Sequence, residues 1–149
     1  MTQALFIDAN VPIYASGRPH HLKEFCGKIL SLALQHRPAF VTDAEVLQEL
    51  LRRYVAIRMW PRGQAVVNGF AVLMEGRVEP IQAADVVAAG VLAQHHAGLS
   101  ARDLIHATVM YRLGVERIIT ADIGFDRLPG IKRLDPAHVD AWWPSLGVL

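Results

Sequence analysis

A three-layer α/β/α fold with a short, mainly parallel central sheet is what the sequence predicts, on three observations. Brief apolar runs such as residues 4–7 and 117–120 alternate with longer stretches of helical periodicity. The runs are nearly continuous rather than alternating, the pattern of strands buried on both faces. Helical stretches stand between successive runs, as parallel neighbours require crossover connections.

The first run, Ala4 to Ile7, is too short for a stable helix and reads as a buried strand that delivers Asp8 at its carboxyl end. After the Ser16-Gly17-Arg18-Pro19 break, Leu22, Phe25, Ile29, Leu32 and Ala33 recur at helical spacing, giving a helix over residues 21–35. Residues 39–41 form a second strand. Thr42 opens a helix through Val46, Leu47, Leu50, Leu51 and Tyr54, and Pro61 and Gly63 interrupt it. A further helix covers residues 64–74. Residues 78–81 form an edge strand, since Pro80 cannot donate a ladder hydrogen bond. Helices over 84–95 and 102–113 precede Gly98 and Gly114, which stand where helices stop. Residues 117–120 and 131–134 complete the strands.

The 149 residues suit one compact domain, 1–149, large enough to bury a core without staples. Hydrophobic residues at 52% and charged residues at 19% exclude a disordered chain. Cys26 is the single cysteine, so no internal disulfide forms, in keeping with the reducing cytoplasm. No apolar run is long enough to span a bilayer, and only Met-Thr-Gln precedes the first apolar segment, so neither membrane nor signal peptide is expected. The net charge of +1 neither announces nor excludes a polyanionic partner. Arg52, Arg53 and Arg58, and Arg127, Lys132 and Arg133, leave local basic patches open.

In a sheet of this kind ligands bind beyond the carboxyl ends of the strands, where strand order reverses. Asp8 and Asp122 each follow an apolar strand, although each could equally cap a helix. Asp103 sits in Ser100-Ala101-Arg102-Asp103, a spacing related to a capping box, and shares a helix face with His106, Ala107 and Met110. Glu45 is accounted for by a capping box in Thr42-Asp43-Ala44-Glu45. Glu49 is not: it lies on a largely apolar segment and needs Arg52, Arg53 or another partner. Four carboxylates gathered together repel, at roughly 3 kcal/mol per pair, and a divalent cation reverses that balance. Oxygen donors without a cysteine cluster or a His-Glu-x-x-His pattern suit Mg²⁺ or Mn²⁺ rather than zinc.

Four segments resemble the PIN-domain family in order and spacing: Phe6-Ile7-Asp8-Ala9-Asn10-Val11, Val46-Leu47-Gln48-Glu49-Leu50, residues 99–107 around Asp103, and Ile119-Thr120-Ala121-Asp122-Ile123-Gly124-Phe125-Asp126. The similarity runs from Leu5 to about Leu134 and is strongest to the VapC-type toxins. It implies an endoribonuclease paired with an antitoxin protein, working as a homodimer on RNA. It further implies that Asp8, Glu49, Asp103 and Asp122 carry the metal site, assisted by Asn10, Thr120 and Asp126. Ala9 and Pro12 depart from the family pattern, where a small hydroxyl residue and an aliphatic residue are usual.

Such a site would hydrolyse phosphodiester bonds, with Arg102 a candidate for phosphate contact because the acids themselves repel RNA. His106 and the pairs His20-His21 and His95-His96 are expected to be mainly structural or exposed, and Trp142-Trp143 to cover the core. A PIN nuclease of RNA maturation without an antitoxin shares the same site, and a catalytically silent RNA- or protein-binding scaffold would keep only the fold. A haloacid-dehalogenase-like phosphatase is disfavoured, because Asp8-Ala9-Asn10 lacks the second aspartate of that motif.

Overall fold

The computed structural model describes residues 4–147. Among them five strands form one sheet: β1 (Leu5–Ile7), β2 (Phe40–Asp43), β3 (Val78–Glu79), β4 (Arg117–Ile119) and β5 (Lys132–Leu134). Their order is β3-β2-β1-β4-β5, and every neighbouring pair is parallel. The chain thus builds outward from β1 through β2 to β3, then returns to the other side of β1 for β4 and β5. The gap between β1 and β4 is therefore the switch point at which such sheets bind ligands. There the Asp8 N–H donates to Ile119 O at 3.2 Å, so the backbone that carries Asp8 is fixed by the ladder itself.

Seven α-helices flank the sheet among the described residues: α1 (Asn10–Ser16), α2 (Lys23–Gln35), α3 (Ala44–Ala56), α4 (Trp60–Leu73), α5 (Ala83–Ala93), α6 (Ala101–Leu113) and α7 (Val139–Ser145). They make the three-layer α/β/α arrangement, with α1 packed on α2, α3 on α4 and α5 on α6. Phe6, Ile7, Phe40, Ile118 and Ile119 are fully buried, which is why these strands read as unbroken apolar runs.

Several boundaries differ from the sequence reading. Residues 10–16 form a helix although only seven residues long, because Val11 and Pro12 pack into the core. Pro61 opens α4 instead of ending the preceding segment, since proline lacks only an N–H that the first helical turn leaves unpaired. The α3 cap is Asp43, not Thr42: the Val46 N–H donates to Asp43 Oδ1 at 2.9 Å. Thr42 belongs to β2, and its hydroxyl donates to Ile7 O at 2.9 Å, tying β2 to β1. The edge strand β3 stops before Pro80. Ser100 caps α6 through the Asp103 N–H (3.1 Å), and Gly114 ends that helix at φ +70°. The terminal α7 places Trp143 in stacked contact with Phe40, so this residue covers the core.

Candidate active site

Beyond the carboxyl ends of β1 and β4 lies a cleft of about 360 Å³ lined by Asp8, Asn10, Glu49, Arg102, Asp103 and Asp122, among others. Four elements supply these groups: β1 delivers Asp8, α3 presents Glu49, the first turn of α6 carries Asp103, and the segment after β4 carries Asp122. The sheet order brings Asp8 and Asp122 together across more than a hundred residues of chain.

The Asp8 carboxylate is held from both sides. Its Oδ1 accepts from the Ala9 N–H at 2.8 Å, and its Oδ2 accepts from Thr120 Oγ1 at 2.7 Å and Asn10 Nδ2 at 3.3 Å. Thr120 Oγ1 in turn accepts from Asn10 Nδ2 at 2.8 Å and the Asp122 N–H at 3.0 Å, while Asn10 Oδ1 accepts from the Ala121 N–H at 3.3 Å. One asparagine and one threonine therefore lock the end of β1 to the loop after β4. Asp122 is fixed by its own turn, accepting from the Gly124 N–H at 2.8 Å. An added Cβ at Gly124 would stand 2.7 Å from the end of the Leu99 side chain and 3.1 Å from Asp122 Oδ1, so a side chain there would have to displace one or the other.

The acids press on one another. Burial pushes the Asp103 carboxyl up to about 7, with Asp8 and Asp122 adding to the rise. Asp8 is also raised, first by burial; His106 opposes the rise, Glu49 adds to it, and its hydrogen bonds from Thr120 and Ala9 offset it in part.

His106 sits behind this cluster, 0% exposed. Its Nδ1 lies 2.7 Å from Asp43 Oδ2 and its Nε2 lies 2.6 Å from Glu49 Oε1, with Asp8 Oδ1 at 3.7 Å. Burial alone would disfavour the charged ring, but hydrogen bonds to Asp43 and Glu49 and the charges of Asp43 and Asp8 hold it well above the usual histidine range. The imidazolium donates from both nitrogens and bridges α6 to α3 and β2. Glu49 thus takes its partner from another helix, not from Arg52 or Arg53.

Ligand atoms of Asp8, Glu49 and His106 lie within 4.8 Å of one another. Both nitrogens of His106 are already committed to carboxylates, which makes it a counter-charge and a positioning group. The remaining donors are carboxylate oxygens, crowded together and raised by burial and by one another's charge, and that set fits a hard divalent cation.

The other residues singled out from the sequence divide clearly. Asn10 and Thr120 lie within the hydrogen-bonded network. Arg102 lines the same cleft. Asp126 is exposed and accepts from Arg133 Nε at 3.0 Å, bordering an adjoining cavity that also reaches Asp103 and Asp122. Sequence reasoning did not single out Asp43 as a site residue and treated His106 as mainly structural. The signal for His106 was its i+3 spacing from Asp103 on one helix face. Its link to Asp43 joins residues 63 positions apart and left no local trace.

A model of the PIN domain family matches residues 5–131. A VapC ribonuclease of Mycobacterium bovis is 39% identical over 132 residues, covering 87% of this chain and 98% of the relative. Ribonuclease VapC23 of Mycobacterium tuberculosis is 40% identical over 118 residues, covering 79% and 92%. Among solved structures, the DNA-bound VapBC complex of Salmonella typhimurium matches with a TM-score of 0.70 at 21% identity over 91% of this chain and 99% of the other. VapC20 of Mycobacterium tuberculosis, a toxin that cleaves the sarcin-ricin loop, matches with a TM-score of 0.67 at 16% identity, covering 80% and 91%.

Proposed function

Since the chain belongs to the PIN domain family, we propose that it is an Mg²⁺- or Mn²⁺-dependent endoribonuclease, the toxin of a toxin–antitoxin pair acting in the cytoplasm. The observation that carries this reading is the meeting of Asp8, Glu49, Asp103 and Asp122 in one cleft at the sheet's switch point. The relatives at 39–40% identity, named as VapC ribonucleases, support RNA as the substrate. The VapBC complexes of like fold motivate an antitoxin partner, and a homodimer is the expected assembly. Among the described residues no helix is long and apolar enough to cross a membrane.

In this reading Asp8, Asp103 and Asp122 hold the cation, and Glu49 holds it or orients the attacking water. The bound ion lowers the pKa of water and neutralises charge on the phosphoryl oxygens. Thr120 and Asn10 keep the Asp8 carboxylate aimed into the cleft. His106 holds Glu49 in place and offsets the charge of the buried acids. Asp103 releases its proton when the site is loaded. Arg102, at the cleft wall, draws a phosphate toward a surface that is otherwise acidic.

The test is cleavage of structured and single-stranded RNAs by the purified chain with Mg²⁺ or Mn²⁺, with and without a chelator. Asp8→Asn is expected to abolish cleavage while preserving the fold. Thr120→Val, which removes the hydroxyl that donates to Asp8 and accepts from Asn10 and the Asp122 N–H, is expected to lose about 10- to 100-fold. Full activity in Asp8→Asn, or cleavage indifferent to the chelator, would overturn the assignment.

A further inference from the structure

The carboxylate cleft accounts for a phosphate and says nothing of the bases on either side of it. One turn along α1 from Asn10 lies Tyr14, four residues on and so on the same helix face, about 6 Å further along the axis. Its ring stacks on His20 (centroids 4.2 Å apart, planes 11° apart), and His20 stacks on His21 (4.4 Å, 30°). The Leu22 N–H donates to His20 Nδ1 at 3.1 Å and sets that ring's orientation. Both histidines nonetheless remain exposed.

This three-ring stack shares a cavity of about 310 Å³ with Ile123, Arg133 and Asp135. The Arg133 guanidinium is pinned, Nε donating to Asp126 at 3.0 Å and Nη1 to Thr120 O at 3.3 Å. Ile123 follows Asp122 directly and is 71% exposed, an apolar side chain standing between this cavity and the one reaching Asp103 and Asp122. Aromatic rings, a fixed guanidinium plane and an apolar side chain are the surfaces on which unpaired bases stack. Tyr14 stands about 6 Å along α1 from Asn10, which lines the carboxylate cleft, a spacing comparable with one or two stacked nucleotide steps of about 3.4 Å.

We propose that the cavity bounded by Tyr14, His20, His21, Ile123 and Arg133 is a nucleobase subsite, which takes an unpaired base one or two nucleotides from the scissile phosphate. The inference rests on the ribonuclease reading and adds to it a determinant of where the RNA is cut. The base stacks against the ring tier and Ile123, and its backbone passes over the segment 120–123 into the carboxylate cleft.

Single-stranded RNAs carrying one abasic nucleotide, moved stepwise through the positions around the cut, test this with the purified chain and Mg²⁺. One position is expected at which loss of the base lowers kcat/KM on the order of tenfold, mainly through KM. His20→Ala, His21→Ala and Ile123→Ser are expected to lower cleavage of intact RNA by a similar factor and to leave cleavage at that abasic site unchanged. Such non-additivity is what direct contact requires, and a mere loss of folding would lower both substrates alike. If every abasic position is tolerated, or the folded variants depress both substrates equally, the subsite is overturned and the nuclease reading stands. If the wild-type chain cleaves none of the RNAs, both fall together.

Discussion

Asp103 registers both the burial and the crowding of acids in the cleft. Its carboxyl is raised from the ordinary 3.8 to about 7, so the folded chain keeps a proton that the unfolded chain has lost. Stability contributed by that proton is present below the unfolded value and disappears as pH rises from about 4 to about 7. Asp103→Asn is therefore expected to stabilise the metal-free chain by about 1–2 kcal/mol at alkaline pH, after allowance for solvent screening, and to change little in acid. Thermal melts across pH, in chelator, read this directly; equal melting of the two chains above neutrality would contradict it. His106 makes the opposite case. Removing it by His106→Ala leaves Asp43 and its neighbours buried without a counter-charge, an expected loss of 3–5 kcal/mol in denaturant titrations. Asp8, Asp103 and Asp122 were legible because each stands at a strand end or in the first turn of a helix, and Glu49 because it is an acid on a largely apolar helical segment with no capping role. The histidine between them was not, because its meaning lies in partners on β2 and α3 that only the folded chain supplies.

At the scale of elements, proline and glycine carried more meaning than their reputation as breakers suggests. Pro61 and Gly63 both lie inside α4. An added Cβ at Gly63 would stand 2.2 Å from Tyr54 Cβ and 2.5 Å from its ring, so α3 and α4 meet there backbone to side chain. Gly63→Ala must push the two helices apart and is expected to cost at least about 2 kcal/mol. Gly69→Ala, on the same helix with nothing within 4 Å, is expected to be neutral or to stabilise by about 0.5–1 kcal/mol. Chemical denaturation of the pair separates the two effects, and equal changes would argue against close packing at Gly63. Sequence periodicity found α2, α3, α5 and α6 because each offers at least eleven residues to average over. It missed α1 and α7, seven residues each, the second with Pro144 inside it, because tertiary packing and not intrinsic propensity holds such short helices.

Over the whole molecule, a net charge of +1 means that no general field draws RNA in, and the cleft itself is acidic. Under the proposed reading the cation would serve binding as well as chemistry, and its effect would be visible without any RNA present. An ion that binds the folded chain but not the unfolded one stabilises by about 2.7 kcal/mol at a hundredfold excess over its dissociation constant. For a chain of this length each 1 kcal/mol moves the melting point by about 2–4 °C. Mn²⁺ at such an excess is expected to raise the wild-type melting temperature by about 5–10 °C, and more at alkaline pH than in acid, where Asp103 keeps its proton. Asp8→Asn is expected to lose most of that shift. If Asp8→Asn gains as much from Mn²⁺ as the wild type, the ion binds elsewhere, and the acids of the cleft owe their proximity to something other than a shared metal.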